Sequence, residues 1–91
     1  MNIAKKFNLD VKTVELMGKN HGKEIEKAVL EYAKNPAENP VVERLKLPLS
    51  HGLHNVCITM DSSTYDLLDK LADGKRVVST MIEVAIWRHW K

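Results

Sequence analysis

His54-Asn55-Val56-Cys57-Ile58-Thr59-Met60 alternates along its length. Val56, Ile58 and Met60 are apolar, whereas Asn55, Cys57 and Thr59 are small or polar. The run is rich in β-branched side chains, so it reads as a short, half-buried strand. Asp61, Ser62 and Ser63 then supply helix-capping chemistry. In the helix that follows, Tyr65, Leu68 and Leu71 or Ala72 share an apolar face, and Asp66, Asp69, Lys70 and Asp73 stay wet. Gly74 ends that helix. Lys75 and Arg76 fill the turn, and Ser79 or Thr80 opens a second helix. Its inner side carries Met81, Ile82, Ala85, Ile86, His89 and Trp90, and Val84 and Trp87 broaden it.

A single strand cannot pair its own backbone groups or form a sheet. A second copy of the chain, antiparallel to the first, would solve both problems and give a two-stranded ribbon over four helices. The expected fold is therefore mainly α with one short strand per chain, completed by dimerisation and preceded by a small helical N-terminal region. The expected dimer core is Val56, Ile58, Met60, Ile82, Ala85, Ile86 and Trp90.

Outside this unit the chain divides at Asn35-Pro36 and Asn39-Pro40, since a proline disfavours helix in the residue before it. Residues 1–35 form an N-terminal region, 36–53 a linker or extended strap, and 54–91 the strand and two helices. Residues 24 to 33 read as a helix with Ile25, Ala28, Val29 and Tyr32 on one face. Residues 11 to 19 read as another, with Asp10 as N-cap and Val14 and Met17 facing inward. Val41, Leu45, Leu47 and Leu49 alternate loosely, as in an extended strap on the core.

The net charge of +2 says little by itself. Its distribution says more: from Arg44 to Met60 there is no acidic residue, and Asp61, Asp66, Asp69 and Asp73 follow. The apolar runs are too short to span a membrane, and the N-terminus has no secretory core. With one cysteine, no disulfide can form within the chain. A cytoplasmic protein is expected.

Val56 to Trp90 resembles the ribbon-helix-helix repressors of the Arc, CopG and MetJ type. The most specific part is Ser79-Thr80-Met81-Ile82-Glu83-Val84-Ala85-Ile86, which is similar to the second helix of the CopG type. The resemblance implies a homodimeric regulator that inserts its ribbon into the major groove of double-stranded DNA. The family's outward, base-contacting positions fall on Asn55, Cys57 and Thr59. Its phosphate-anchoring helix start falls on Val78, Ser79 and Thr80, with Lys75 and Arg76 beside it. The middle outward position lies nearest the dyad in these repressors, so two Cys57 thiols are expected to face each other. None of the three outward residues is Arg or Lys, which commonly read bases in this family. A repressor or copy-number role follows from the resemblance. The second expectation is an antitoxin-like or scaffold protein that dimerises through this unit and binds a protein through its N-terminal helices.

The N-terminal third admits several readings. Residues 3 to 17 look like a helix-turn-helix core, with Ala4 at a close approach and Asn8 in the turn, or like a plain helical extension. The rival is a degenerate second copy of the ribbon-helix-helix. Leu9-Asp10-x-x-Thr13-x-Glu15-Leu16-Met17 echoes Met60-Asp61-x-x-Thr64-x-Asp66-Leu67-Leu68, but the later helices match only if six residues are inserted in the second turn. Ala4-Lys5-Lys6 is better helix than strand material, which ranks the helical readings first.

Catalysis is not expected. The chain has no glycine-rich phosphate loop, no nucleophile elbow and no prominent carboxylate pair. His51, His54 and Cys57 are three residues apart, which puts strand neighbours on opposite faces, and no fourth ligand is evident. Neither a metal nor another cofactor is expected. Trp87 and Trp90 read as core or interface residues.

Overall fold

A computed structural model describes residues 1–19, 22–72 and 78–90. The chain runs β1 (Asn2–Asp10), α1 (Val11–Met17), α2 (Lys23–Lys34), α3 (Pro40–Leu45), β2 (Leu53–Asp61), α4 (Ser62–Ala72) and α5 (Val78–Trp90). β1 and β2 pair antiparallel along their whole length, from Asn2 opposite Asp61 to Asp10 opposite Leu53.

This overturns the expected fold class. The described chain holds two strands, not one, and the second strand of the ribbon comes from the same molecule. The N-terminal region is not simply helical, nor does it open as a helix-turn-helix: Ile3 to Leu9 is strand. Ala4-Lys5-Lys6 adopts a strand because its backbone groups are paired by β2, and pairing outweighs intrinsic propensity. The extended strap is also corrected. Pro40–Leu45 is a short helix, with Asn39 Oδ1 accepting from the Val42 N–H at 3.3 Å and Pro40 in the first turn.

The chain thus consists of two strand–helix–helix units related by an approximate two-fold axis. One spacing along the chain relates Leu9 to Met60, Asp10 to Asp61 and Thr13 to Thr64. The hydrogen bonds repeat with it. Val11 N–H donates to Gly52 O at 2.9 Å, and its counterpart Ser62 N–H donates to Met1 O at 2.8 Å. Asp10 caps α1 through the Lys12 N–H, and Asp61 caps α4 through the Ser63 N–H, each at 2.9 Å. α4 has 11 residues where α1 has 7, so extra length lies in the helix itself and not just in the turn after it.

One side of the ribbon packs on the helices. Leu9, Val56, Ile58 and Met60 are buried there with Tyr65 and Leu68 of α4. Between the units, Ile25, Ala28, Val29 and Tyr32 of α2 share the core with Met81, Ile82, Ala85 and Ile86 of α5. Burying such side chains stabilises by about 1.5–3 kcal/mol each. Six of the seven residues expected to form a dimer core are therefore buried within one chain, and Trp90 packs against them half-buried.

Two glutamates lock the units together reciprocally. Glu26 of α2 accepts from the Asp61 N–H and the Thr64 hydroxyl, both at 2.8 Å. Glu83 of α5 accepts from the Asp10 N–H at 3.2 Å and the Thr13 hydroxyl at 2.7 Å. Each second helix thus satisfies orphan donors where the other unit's first helix begins. The two sites are not equal. Glu83 is only 2% exposed and also pairs with Arg44 of α3 at 2.7 Å, while Trp87 Nε1 donates to Thr13 Oγ1 at 2.9 Å. On the α2–α5 seam, His89 lies 3.0 Å from Glu24 and 3.2 Å from Glu31, and these two carboxylates raise its pKa despite partial burial.

Two outcomes follow from this architecture. Because the strands belong to one chain, the urea midpoint is expected to be the same at low and high protein concentration; a midpoint that climbs with concentration would restore dimerisation as the source of stability. Glu83→Ala, which strands Arg44 and two donors, is expected to cost about 3 kcal/mol in urea unfolding. Glu26→Ala, which removes hydrogen bonds to a charged but less buried group, is expected to cost about 1.5 kcal/mol. Equal losses would contradict the unequal burial.

Candidate nucleic-acid interface

Alternate residues of each strand point away from the helices. On β2 these are Asn55, Cys57 and Thr59, and all three are exposed, as the sequence pattern implied. On β1 they are Ala4, Lys6 and Asn8, also exposed. The register sets Ala4 opposite Thr59, Lys6 opposite Cys57 and Asn8 opposite Asn55. The Asn55 side-chain amide donates to Asn8 Oδ1 at 3.1 Å, tying the two amides together across the ribbon.

The middle pair lies on the approximate two-fold axis. Cys57 does occupy the dyad, but it faces Lys6, not a second thiol. The expected facing pair of Cys57 thiols is therefore not formed within this ribbon. Cys57 is instead a free, exposed thiol beside a lysine. The cation that β2 lacks on this face is supplied by β1.

Sequence reasoning missed Ala4, Lys6 and Asn8. The signal that could have found them is the Leu9-Asp10 echo of Met60-Asp61. Carried back along the strands at the same spacing, it sets Ala4 on Asn55, Lys6 on Cys57 and Asn8 on Thr59. Both strands are also free of acidic residues up to the aspartate that ends each one.

Those aspartates are engaged with backbone donors. Asp10 is buried, which by itself would raise its pKa. Donors from Ser50, Lys12 and His51 outweigh this and hold the carboxyl below its ordinary value. The Ser50 N–H and hydroxyl lie 3.0 Å from Oδ1, and the His51 N–H lies 2.8 Å from Oδ2, so Asp10 also anchors the segment leading into β2. Asp61 accepts from the Ser63 N–H and hydroxyl and lies 3.2 Å from the N-terminal ammonium. Under the ribbon, Lys5 Nζ sits 4.7 Å from the centre of the Tyr65 ring, a cation–π distance. Burial first, and the neighbouring Cys57 second, push the Tyr65 phenol up to about 12, so it remains a donor to Ile58 O.

Each end of the ribbon has one second helix beside it. Glu26, in the first turn of α2, reaches Asp61. Glu83, in the second turn of α5, reaches Asp10 at the other end. Val78, Ser79 and Thr80 form the first turn of α5 and are half-buried. Lys75 and Arg76 lie outside the described residues. His51, His54 and Cys57 do not converge: His51 is in a loop at φ 70°, and His54 and Cys57 point to opposite faces of β2. Among the described residues, no group of three or more His, Cys, Asp or Glu is placed to hold a metal ion, and no helix is long and apolar enough to cross a membrane.

Asp61 gives the ribbon end an acid signature. Its pKa is lowered to about 2, chiefly by the Ser63 N–H and hydroxyl and then by the N-terminal ammonium. A depressed carboxylate adds stability that is present above its unfolded pKa near 3.9 and is lost as pH falls through the folded value. An NMR titration is expected to place the Asp61 carboxyl near 2, and Asp61→Asn should flatten the stability slope between about pH 4 and 2. A midpoint near 4 would show that the caps do not hold the carboxylate. Comparison of the chain with protein-family models, curated proteins and solved structures returns no match.

Proposed function

We propose that this chain is a sequence-specific DNA-binding regulator of the ribbon-helix-helix type, with both halves of the unit in one molecule. The observation that carries this reading is the ribbon. It is a two-stranded antiparallel sheet with one face packed on helices. The other is exposed, acid-free and lined by Lys6, Asn8, Asn55, Cys57 and Thr59. A two-stranded ribbon fits the major groove of B-DNA, and these are side chains that can meet base edges there.

Phosphate contacts would come from the helix starts. The first N–H groups of a helix lack intrahelical acceptors and favour anions. Val78, Ser79 and Thr80 open α5, with Lys75 and Arg76 before them; Lys23 opens α2, with Lys19 before it. Each unit thus offers basic residues at or before the start of its second helix. The protein would act by binding, without catalysis or cofactor, as a repressor or copy-number regulator. The cytoplasm, where one free thiol stays reduced, is the proposed location.

A protein partner is the second reading. The observation that favours it is on α3, not on the N-terminal helices: Val41, Val42 and Leu45 are exposed together.

The experiment is a gel shift at stated salt with DNA from upstream of the protein's own coding sequence, followed by alkylation of Cys57 in the complex. DNA is expected to slow alkylation of Cys57, and Lys6→Ala is expected to weaken binding about tenfold, the scale of one good base contact. If bound DNA leaves Cys57 as reactive as in the free protein, the ribbon is not the DNA-contacting face. If no duplex binds, the partner surface on α3 becomes the leading reading.

A further inference from the structure

The ribbon's backbone is nearly two-fold symmetric, but its outward face is not. The approximate axis passes between Lys6 and Cys57. Turned about it, Ala4 lands on Asn55, Lys6 on Cys57 and Asn8 on Thr59, and none of these is an identical pair. Several residues that join the two units are identical: Asp10 and Asp61, Thr13 and Thr64, and Glu26 and Glu83, as well as Ile25 and Ile82 and Ala28 and Ala85. Other core counterparts differ, such as Val29 and Ile86 or Leu9 and Met60, but both members of those pairs are apolar; at the outward positions the two halves differ in charge and hydrogen-bonding character.

The loss gives the face a direction. One end carries two amides, Asn8 and Asn55, joined at 3.1 Å. Their mutual bond uses one N–H of Asn55 and one lone pair of Asn8 Oδ1, and leaves three N–H donors and the Asn55 carbonyl for a base edge. Near the axis stands one ammonium, Lys6, facing a thiol that hydrogen-bonds poorly. At the other end Ala4 faces Thr59, and both present methyl groups. In the major groove, asparagine pairs with adenine, lysine with guanine O6 and N7, and Ala or Thr methyls with the thymine methyl. Outward residues two apart on a strand are about 6.7 Å apart, about two base-pair steps.

We propose that the target is a non-palindromic duplex DNA site, read in one orientation. The amide end lies on adenine, Lys6 lies on a guanine beside the centre, and the Ala4–Thr59 end lies against thymine methyls. This rests on the DNA-binding reading above and adds the symmetry of the site to it. A homodimer presents the same face twice about its axis and so selects inverted repeats; this face has no second half that matches the first.

The test is selection from a duplex library randomised over about one helical turn, using the full chain. The expected consensus is not self-complementary. Replacing one half of it by the inverted copy of the other half is expected to weaken binding about tenfold or more, since it mismatches at least one contacted pair. The triple variant Asn55→Ala, Cys57→Lys, Thr59→Asn gives both strands the outward pattern of β1 and is expected to select a palindrome. A second variant, the exchange Lys6→Cys with Cys57→Lys, changes only the exposed central pair and should move the guanine to the other DNA strand. It decides the matter even if the triple variant does not fold. A palindromic consensus for the unaltered chain, or a guanine that stays in place after the exchange, would overturn this inference and leave DNA binding standing. Failure to enrich any sequence would overturn both.

Discussion

The structure depends on one requirement: a strand must have its backbone hydrogen bonds met by another strand. Leu53–Asp61 has the pattern of a strand with one buried face, and it cannot exist alone. Asn2–Asp10 meets the requirement from within the chain. Once the two are paired, the remaining geometry follows. The strands end at Asp10 and Asp61, each aspartate caps the helix that starts there, and each cap site is closed by a glutamate from the other unit. Removing the pairing would leave the inner faces of both strands and two sets of capping groups without partners.

The C-terminal unit was legible because its residues obey local rules. Val56, Ile58 and Met60 alternate cleanly, Asp61 and Ser63 cap, and Met81, Ile82, Ala85 and Ile86 recur at helical spacing. β1 was not, and Lys5 is the physical reason. By register Lys5 faces the same way as Ile3, Phe7 and Leu9, so an apolar strand face contains a lysine. Its stem can lie along apolar surface while its ammonium sits over the Tyr65 ring, an arrangement no periodicity count detects. With Ala4 and Lys6 on either side, the segment reads as helix until its partner is known. The outward residues of β2 could be picked out from alternation. Those of β1 were hidden with the strand itself, and so was the one cation of the face. The strap reading failed for a different reason: Asn39 and Pro40 are a helix start as well as a break, and Val41 to Leu45 is short enough to satisfy either pattern.

Joining the two units in one chain also changes their energetics. Two separate chains lose translational and rotational freedom on association, at a cost of several kcal/mol that depends on concentration. Within one chain this becomes a loop-closure cost that grows only slowly with length. The connection is itself tied down. Asp10 holds Ser50 and His51, Arg44 pairs with Glu83, and Glu43 pairs with Arg88 at 3.0 Å. The connection therefore adds contacts to the core that two separate chains joined by nothing would lack.

Covalent linkage also frees each position from appearing twice. In a symmetric dimer a substitution occurs on both sides of the axis, so a residue that suits one side must suit the other. Here Glu83 has gained Arg44 and a tryptophan neighbour through Thr13, while its counterpart Glu26 keeps two donors and a more open setting. Lys5 stands where the other strand has the buried Val56. Such divergence is constrained where a side chain holds the opposite unit in place, because one opposing donor at each site is a backbone N–H that cannot change. The outward face of the ribbon has no such opposing group. Its two halves are therefore free to differ, and they do: Ala4, Lys6 and Asn8 stand where the other strand has Asn55, Cys57 and Thr59.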